Sequence, residues 1–249
     1  MSEILGIDVS QYQGQMDWDK AKSAGVRFAF IRCAFGYVLD KQFKRNWQEA
    51  KRVGIPRGAY GWCLDGYNQV SLATYFWEQI KDDPGELPPV VDFEKYGATW
   101  VGFAALQQNI ETLEKLCGRA PIIYSSYGYW TSLRDYKNQF WALKYPYWHA
   151  QYTTAATPKI PAPFTDWTFW QFSADGNKRG SEFGAESQSI DIDRYNGGEK
   201  EFSEFIGASE SGETEPTPIN EDKAIATLSE RVSRLEKWAR ELAYKDNKI

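Results

Sequence analysis

Short apolar runs alternate with amphipathic runs of helical period through the first two-thirds of the chain. The strand candidates are Ile4–Val9, Phe28–Ala34, Arg57–Cys63, Pro89–Glu94 and Ile122–Ser126. Between them a helical period runs over Trp18–Ala24, Phe43–Val53, Gln69–Ile80 and Phe103–Leu116. These patterns stop near Gly25, Gly54 and Gly118, or before a proline, as helices do. Five strand–helix units in succession predict a parallel sheet with right-handed crossovers. The rhythm then changes. Tyr147–Tyr152, Trp167–Phe172 and Ser189–Tyr195 read as strands, but proline and glycine fill the spacers between them. Eight strands, the last three poor in helix, predict an α/β fold: an irregular, TIM-like (β/α) barrel. The alternative is an open doubly wound sheet, which lacks an obvious place for three late strands.

The chain has 249 residues, and compact barrels of this kind start near ~200. The expected division is a barrel over 1–207, an acidic linker over 208–219 and a single helix over 220–249. The linker includes the Glu-, Ser- and Thr-rich stretch Ser209 to Pro216, a composition that buries little and stays flexible. In the helix, Ile225, Leu228, Val232, Leu235, Ala239 and Leu242 fall on the a and d positions of three heptads. β-Branched residues at a with leucine at d favour a two-stranded coiled coil, hence a homo-oligomer with a dimer preferred. The other reading is an amphipathic helix folded back on the barrel.

Composition narrows the function. The net charge is −5 without a basic block, so no electrostatic footprint for nucleic acid is present. No apolar stretch reaches ~18 residues, so membrane insertion is not expected. The N-terminus MSEILGIDVSQYQG does not read as a secretory signal. Cys33, Cys63 and Cys117 are widely spaced and are expected to be three buried free thiols. His149 is the only histidine, which excludes a two-histidine metal site and argues against a Ser-His-Asp triad. A structural hydrogen-bonding role is expected for it. No metal or cofactor is implied. The 11 Trp, 15 Tyr and 14 Phe suit both core packing and a groove in which sugar faces stack on rings.

The chemistry is expected where apolar strands end in acids. Pro89-Val-Val-Asp92-Phe-Glu94 finishes with two carboxylates two positions apart, and side chains at i and i+2 share a face. Barrel enzymes carry catalytic groups at the C-terminal ends of their strands. Two neighbouring carboxylates do not both ionise freely, so one is raised and can act as a general acid. The first strand candidate ends at Asp8 and the last at Ser189-Ile-Asp191-Ile-Asp193. First and last strands are neighbours in a closed barrel, so Asp8, Asp92, Glu94 and Asp191 are expected to converge. A carboxylate set without a histidine pair, phosphate loop or nucleophilic cysteine motif is the equipment of a glycosidase.

These residues carry a resemblance. The chain resembles the glycoside hydrolase family 25 lysozymes, found among bacteriophage endolysins and bacterial autolysins. Its marks are Gly6-Ile-Asp8-Val-Ser10 with Gln13 and Asp17-Trp18, Gly58-Ala-Tyr60, and Asp92-Phe-Glu94. They continue with Ile123-Tyr124-Ser125, Trp148-His-Ala-Gln151-Tyr152, Trp170-Gln171-Phe172-Ser173 and Ile190-Asp191-Ile192-Asp193. The resemblance implies cleavage of the β-1,4 bond between N-acetylmuramic acid and N-acetylglucosamine in peptidoglycan. It implies Glu94 as acid/base, with Asp8, Asp92 and Asp191 as the other active-site carboxylates. Asp193 shares the face of Asp191 and is held in reserve as a substrate contact. Tyr60, Trp62, Tyr124 and Trp170 are candidates for stacking on sugars, or else for upper-core packing, and Gln151 and Gln171 for positioning the acids. The family often follows the residue at Tyr60 with histidine and an aromatic, where this chain has Gly61 and Trp62. The family's usual C-terminal wall-binding repeats are absent.

Three functional readings follow. The first is a muramidase, as an endolysin held in the host bacterial cytoplasm until release. The second is a catalytically silent barrel that binds glycan strands and is tethered by the coiled coil. The third is a glycosidase acting on another polymer such as chitin.

Overall fold

A computed structural model of the chain describes residues 3–207. The expected linker, the C-terminal helix and the dimer read from it lie outside the described residues. Nine strands form one sheet: β1 (Leu5–Val9), β2 (Phe28–Phe35), β3 (Val38–Leu39), β4 (Arg57–Trp62), β5 (Val90–Asp92), β6 (Ile122–Ser126), β7 (Tyr147–Ala150), β8 (Phe169–Ser173) and β9 (Asp191–Tyr195). Their order is β1-β9-β8-β7-β6-β5-β4-β2-β3, and a further β1–β2 pairing closes eight of them into a ring. That pairing, Gly6 opposite Phe28 through Val9 opposite Ile31, decides for the barrel over the open sheet.

The ninth strand, β3, was not anticipated. It is a two-residue hairpin partner of β2 outside the ring. Every ring pairing is parallel except those of β9, which runs antiparallel to both β1 and β8. The spacers before β8 and β9 hold no α-helix, as expected; two short 3-10 turns, Gly176–Lys178 and Gly180–Phe183, precede β9.

Six helices complete the described fold: α1 (Trp18–Ser23), α2 (Phe43–Arg52), α3 (Gln69–Ile80), α4 (Phe103–Cys117), α5 (Tyr127–Ser132) and α6 (Glu199–Phe205). Asp17, Asn68 and Ser126 cap α1, α3 and α5 by accepting a backbone N–H. Gly118 ends α4 at φ 71, a conformation that costs glycine nothing. Sequence periodicity did not reveal α5 or α6. Each is shorter than two full turns, too short to display a repeating apolar stripe.

Strand alternation divides the apolar side chains into two cores. One lies between sheet and helices and takes Ile7, Ala29, Ile31, Ala59, Val91, Phe93 and Ile123. The other fills the barrel and takes Phe28, Phe30, Val90, Ile122, Trp148 and Phe169. Phe202 of α6 joins it, its ring centroid 5.7 Å from that of Phe28. Cys33 and Cys63 are buried free thiols, but Cys117 is only half-buried. Lying at the end of α4, Cys117 turns its Sγ to the Arg119 carbonyl at 3.1 Å. Among the described residues, no helix is long and apolar enough to cross a membrane.

The interior is filled to the point where β1 requires glycine. A Cβ on Gly6 would come within 2.3 Å of the Phe28 ring. Gly6→Ala is therefore expected to lower stability by ~1–3 kcal/mol, the usual cost of overpacking a closed core. Gly128→Ala, in helix α5 with open space around it, is expected to be neutral or mildly stabilising. Urea denaturation of the two variants checks this; equal midpoints would refute the close-packing account.

Candidate active site

The inward-facing positions above the aromatic filling are polar. Along β1 the alternation brings Asp8 inside, and along β5 it brings Asp92. The ladder continues past β5, because Phe93 N–H donates to the Tyr124 carbonyl at 2.9 Å, so Glu94 keeps its place on the same face. On β9 the reversed direction matters. Its first residue, Asp191, lies at the barrel mouth opposite Asp8, whereas Asp193 lies one pleat deeper opposite Gly6. A last strand parallel to its neighbours would have delivered these acids in the opposite order.

The mouth holds a pocket of about 330 Å³. Its lining brings together eight of the expected residues: Asp8, Tyr60, Trp62, Asp92, Glu94, Tyr124, Gln171 and Asp191. Three others lie elsewhere. Trp170 and Gln171 are consecutive on one strand, so they take opposite faces, and Gln171 takes the inner one. Trp170 lies outside the pocket with its indole N–H donated to the Gln151 carbonyl at 2.8 Å. The Gln151 side chain accepts from the Lys159 N–H at 2.6 Å and braces a loop. Asp193 is fully buried beneath the pocket and does not line it. His149 faces outward and is buried, with Nδ1 3.1 Å from the Tyr147 hydroxyl. Burial lowers its pKa to about 4.

Several lining residues were given no site role from the sequence: Tyr12 and Arg32, and also Trp148 and Tyr152, which stand in one of the family marks. Arg32 was open to detection, since it follows Phe28 and Phe30 at period two. Its guanidinium is held by Asp40 at 2.7 Å and lies over the Tyr12 ring, 5.0 Å from its centroid. It is therefore not a free counter-ion for the acids. Trp148 stacks on Phe30, centroids 4.2 Å apart, and donates its indole N–H to Asp193 Oδ1 at 2.8 Å. Gln171 orders the mouth. Its Oε1 accepts from the hydroxyls of Tyr124 at 2.9 Å and Tyr152 at 2.8 Å, and its Nε2 donates to Asp8 at 2.6 Å.

Desolvation governs the charges. Burial raises all five carboxyls, because a low-dielectric site penalises the ionised form. Asp8 rises to about 6, held there by hydrogen bonds from Gln171, Asp193 and Asp191. Glu94 rises to about 7, through burial and then the charge of Asp8. Asp191 rises to about 9 for the same two reasons. Asp92 and Asp193 are pushed well above the carboxylate range, Asp92 by burial and then by Glu94 and Asp8. The site thus holds protons in mild acid, with Glu94 half-buried at its rim.

The pocket opens at both ends. On one side a second hollow of about 260 Å³ is lined by Phe35, Val38 and Tyr96 and shares Tyr12, Arg32 and Trp62 with the first. Phe35 and Trp62 lie 4.6 and 5.7 Å from the Tyr96 ring. On the other side the surface continues past Tyr152 and Ala174 to Phe172 and Asn177.

Known proteins are similar to this chain in sequence and fold. The profile of Glycosyl hydrolases family 25 matches residues 7–181, more than half of the chain. Lysozyme M1 of Streptomyces globisporus is 32% identical over 212 residues, covering 79% of this chain and 69% of that one. An N,O-diacetylmuramidase of Arthroderma benhamiae is 26% identical over 220 residues, covering 81% and 86%. The crystal structure of the bacterial lysozyme from Streptomyces coelicolor superposes with a TM-score of 0.71 at 26% identity, covering 84% of this chain and 100% of that one. The acids at the barrel mouth, the family profile and these relatives agree: the chain belongs to glycosyl hydrolases family 25 and is a glycoside hydrolase.

Proposed function

We propose that this hydrolase is a muramidase that cleaves the β-1,4 bond between N-acetylmuramic acid and N-acetylglucosamine in bacterial peptidoglycan. The observation that carries the reading is Glu94. It is a rim carboxyl with a pKa raised to about 7, two residues from the buried Asp92 and above a set of further acids. A lysozyme and a diacetylmuramidase among its relatives support the choice of substrate.

In this reading Glu94 protonates the glycosidic oxygen as the bond breaks. Asp92 orients the substrate's own acetamido group for attack on the anomeric carbon, or acts on that carbon directly. Asp8 and Asp191 hold ring hydroxyls and tune the acid pair, and Tyr60, Tyr124 and Gln171 shape the floor. The neighbouring aromatic hollow extends the sugar path over Trp62 and Tyr96. Its one cation, Arg32, is already paired with Asp40, so the hollow offers a neutral face that suits an uncharged pyranose. A silent glycan-binding barrel would have no use for the Asp92–Glu94 pair, which is costly to bury. The biological role proposed is host lysis as a phage endolysin, a role that rests on the family resemblance alone.

Glu94→Gln is expected to lower kcat by ~10²–10⁴-fold, the usual contribution of a general acid, while leaving thermal unfolding unchanged. Mass spectrometry of fragments from purified peptidoglycan checks both enzyme and bond. Reducing muramic acid ends from the wild type support the assignment; reducing N-acetylglucosamine ends refute it.

A pH profile tests the acid separately. The protonated form of Glu94 exists below its raised pKa, so kcat/KM is expected to fall as pH rises through about 7. A rate rising through that range would contradict the role. For the aromatic hollow, Tyr96→Ala is expected to raise KM on long glycan strands several-fold with a smaller effect on kcat. Steady-state kinetics on long strands decides this, and an unchanged KM counts against that path.

A further inference from the structure

Asp193 differs from the other four acids in depth. It is 0% exposed and does not reach the pocket surface. Its Oδ1 accepts the Trp148 indole N–H at 2.8 Å. Its Oδ2 is buried with no donor among the described residues reaching it. A buried carboxylate oxygen with no donor is expensive. The remedy is not a cation. Arg32 on β2 is held by Asp40, Ser10 and Gln13 are bonded to each other, and the other polar groups around the mouth are Tyr12, Tyr60, Asp92, Glu94, Tyr124, Tyr152, Gln171 and Asp191. Asp8 stands two residues along β1 from Gly6, the partner of Asp193, on the same inward face, and is the acid with which Asp193 shares a hydrogen-bonding interaction. An oxygen that lacks a donor but faces an acceptor is satisfied when it carries the proton itself.

We propose that Asp193 is a neutral carboxylic acid through the working pH range, donating Oδ2–H to Asp8 so that Asp8 becomes the fixed anion of the site. It is a positioning residue with no contact to substrate. Trp148 fixes one oxygen and thereby aims the other, and Gln171 supplies the second donor to Asp8. With Asp8 carrying the first negative charge, each further ionisation works against it, and Glu94 keeps its proton. The titration order agrees with this: Asp8 at about 6 precedes Glu94 at about 7 and Asp191 at about 9.

The kinetic half of the test rests on the hydrolase reading given above. Asp193→Asn keeps both interactions, since its Oδ1 still accepts from Trp148 and its Nδ2 still donates to Asp8. It is expected to retain the wild-type pH profile and turn over within about threefold of wild type, about 0.65 kcal/mol. Asp193→Ala removes the donor, so the acid limb of the kcat/KM profile is expected to move up by on the order of one pH unit. A loss in Asp193→Asn comparable to that of Glu94→Gln would overturn the proposal, because only an anion is abolished by that change. An unmoved acid limb in a folded Asp193→Ala protein would overturn it as well.

A measurement without substrate covers the case in which the alanine variant does not fold. Infrared difference spectra of the wild type against Asp193→Asn at neutral pH are expected to contain one protonated-carboxyl band belonging to Asp193. A carboxylate band in its place would refute the neutral acid. Because this readout needs no turnover, an enzyme inactive on peptidoglycan would count against the proposed function and leave the infrared result to decide here.

Discussion

Strand β1 is where the barrel closes, and the site exists because it does. Leu5–Val9 is hydrogen-bonded on one side to β2 in parallel and on the other to β9 in antiparallel fashion. Those two ladders fix the pleat, and the pleat assigns Gly6 and Asp8 to the interior. Gly6 leaves the volume that the Phe28 ring fills, and Asp8 faces Asp191 across the mouth. Without the β1–β9 ladder the acids of the first and last strands would lie at opposite edges of a sheet. Their mutual desolvation, which sets the chemistry, would not arise.

Within the ring the contents are layered. Phe28, Phe169 and Phe202 make an apolar base, and the carboxyls sit above it. Trp148 joins the layers, stacking on Phe30 with its ring while its indole N–H holds Asp193. The apolar base is more than filling. It keeps water from beneath the acids, and that exclusion is the largest cause of every raised carboxyl in the cluster.

Much of this was legible in the sequence because period-two alternation is a local rule. Runs such as Val90-Val91-Asp92-Phe93-Glu94 name their inward acids without knowledge of the fold. The same rule identifies where the reading went astray. Trp170 and Gln171 cannot share a face, and Gln151 follows the inward Ala150, so parity alone assigns both Trp170 and Gln151 to the outside. Arg32 was available by the same count. The direction of β9 was not, since direction depends on pairings formed between Leu5–Val9 and Asp191–Tyr195, far apart in the chain. Nor was the contact between Trp148 and Asp193, which only the closed ring brings together.

The buried carboxyls also make folding a proton-uptake reaction. In the unfolded chain these acids ionise near ~4, whereas in the barrel Asp8, Glu94 and Asp191 hold their protons to about 6, 7 and 9. Between those limits the native state binds more protons than the unfolded one, so stability declines as pH rises. The contribution is fully present below the unfolded values and is lost as each folded value is passed. The proton that arms Glu94 is thus also one that stabilises its scaffold, so protonation of the barrel mouth links the durability of this molecule to its reactivity.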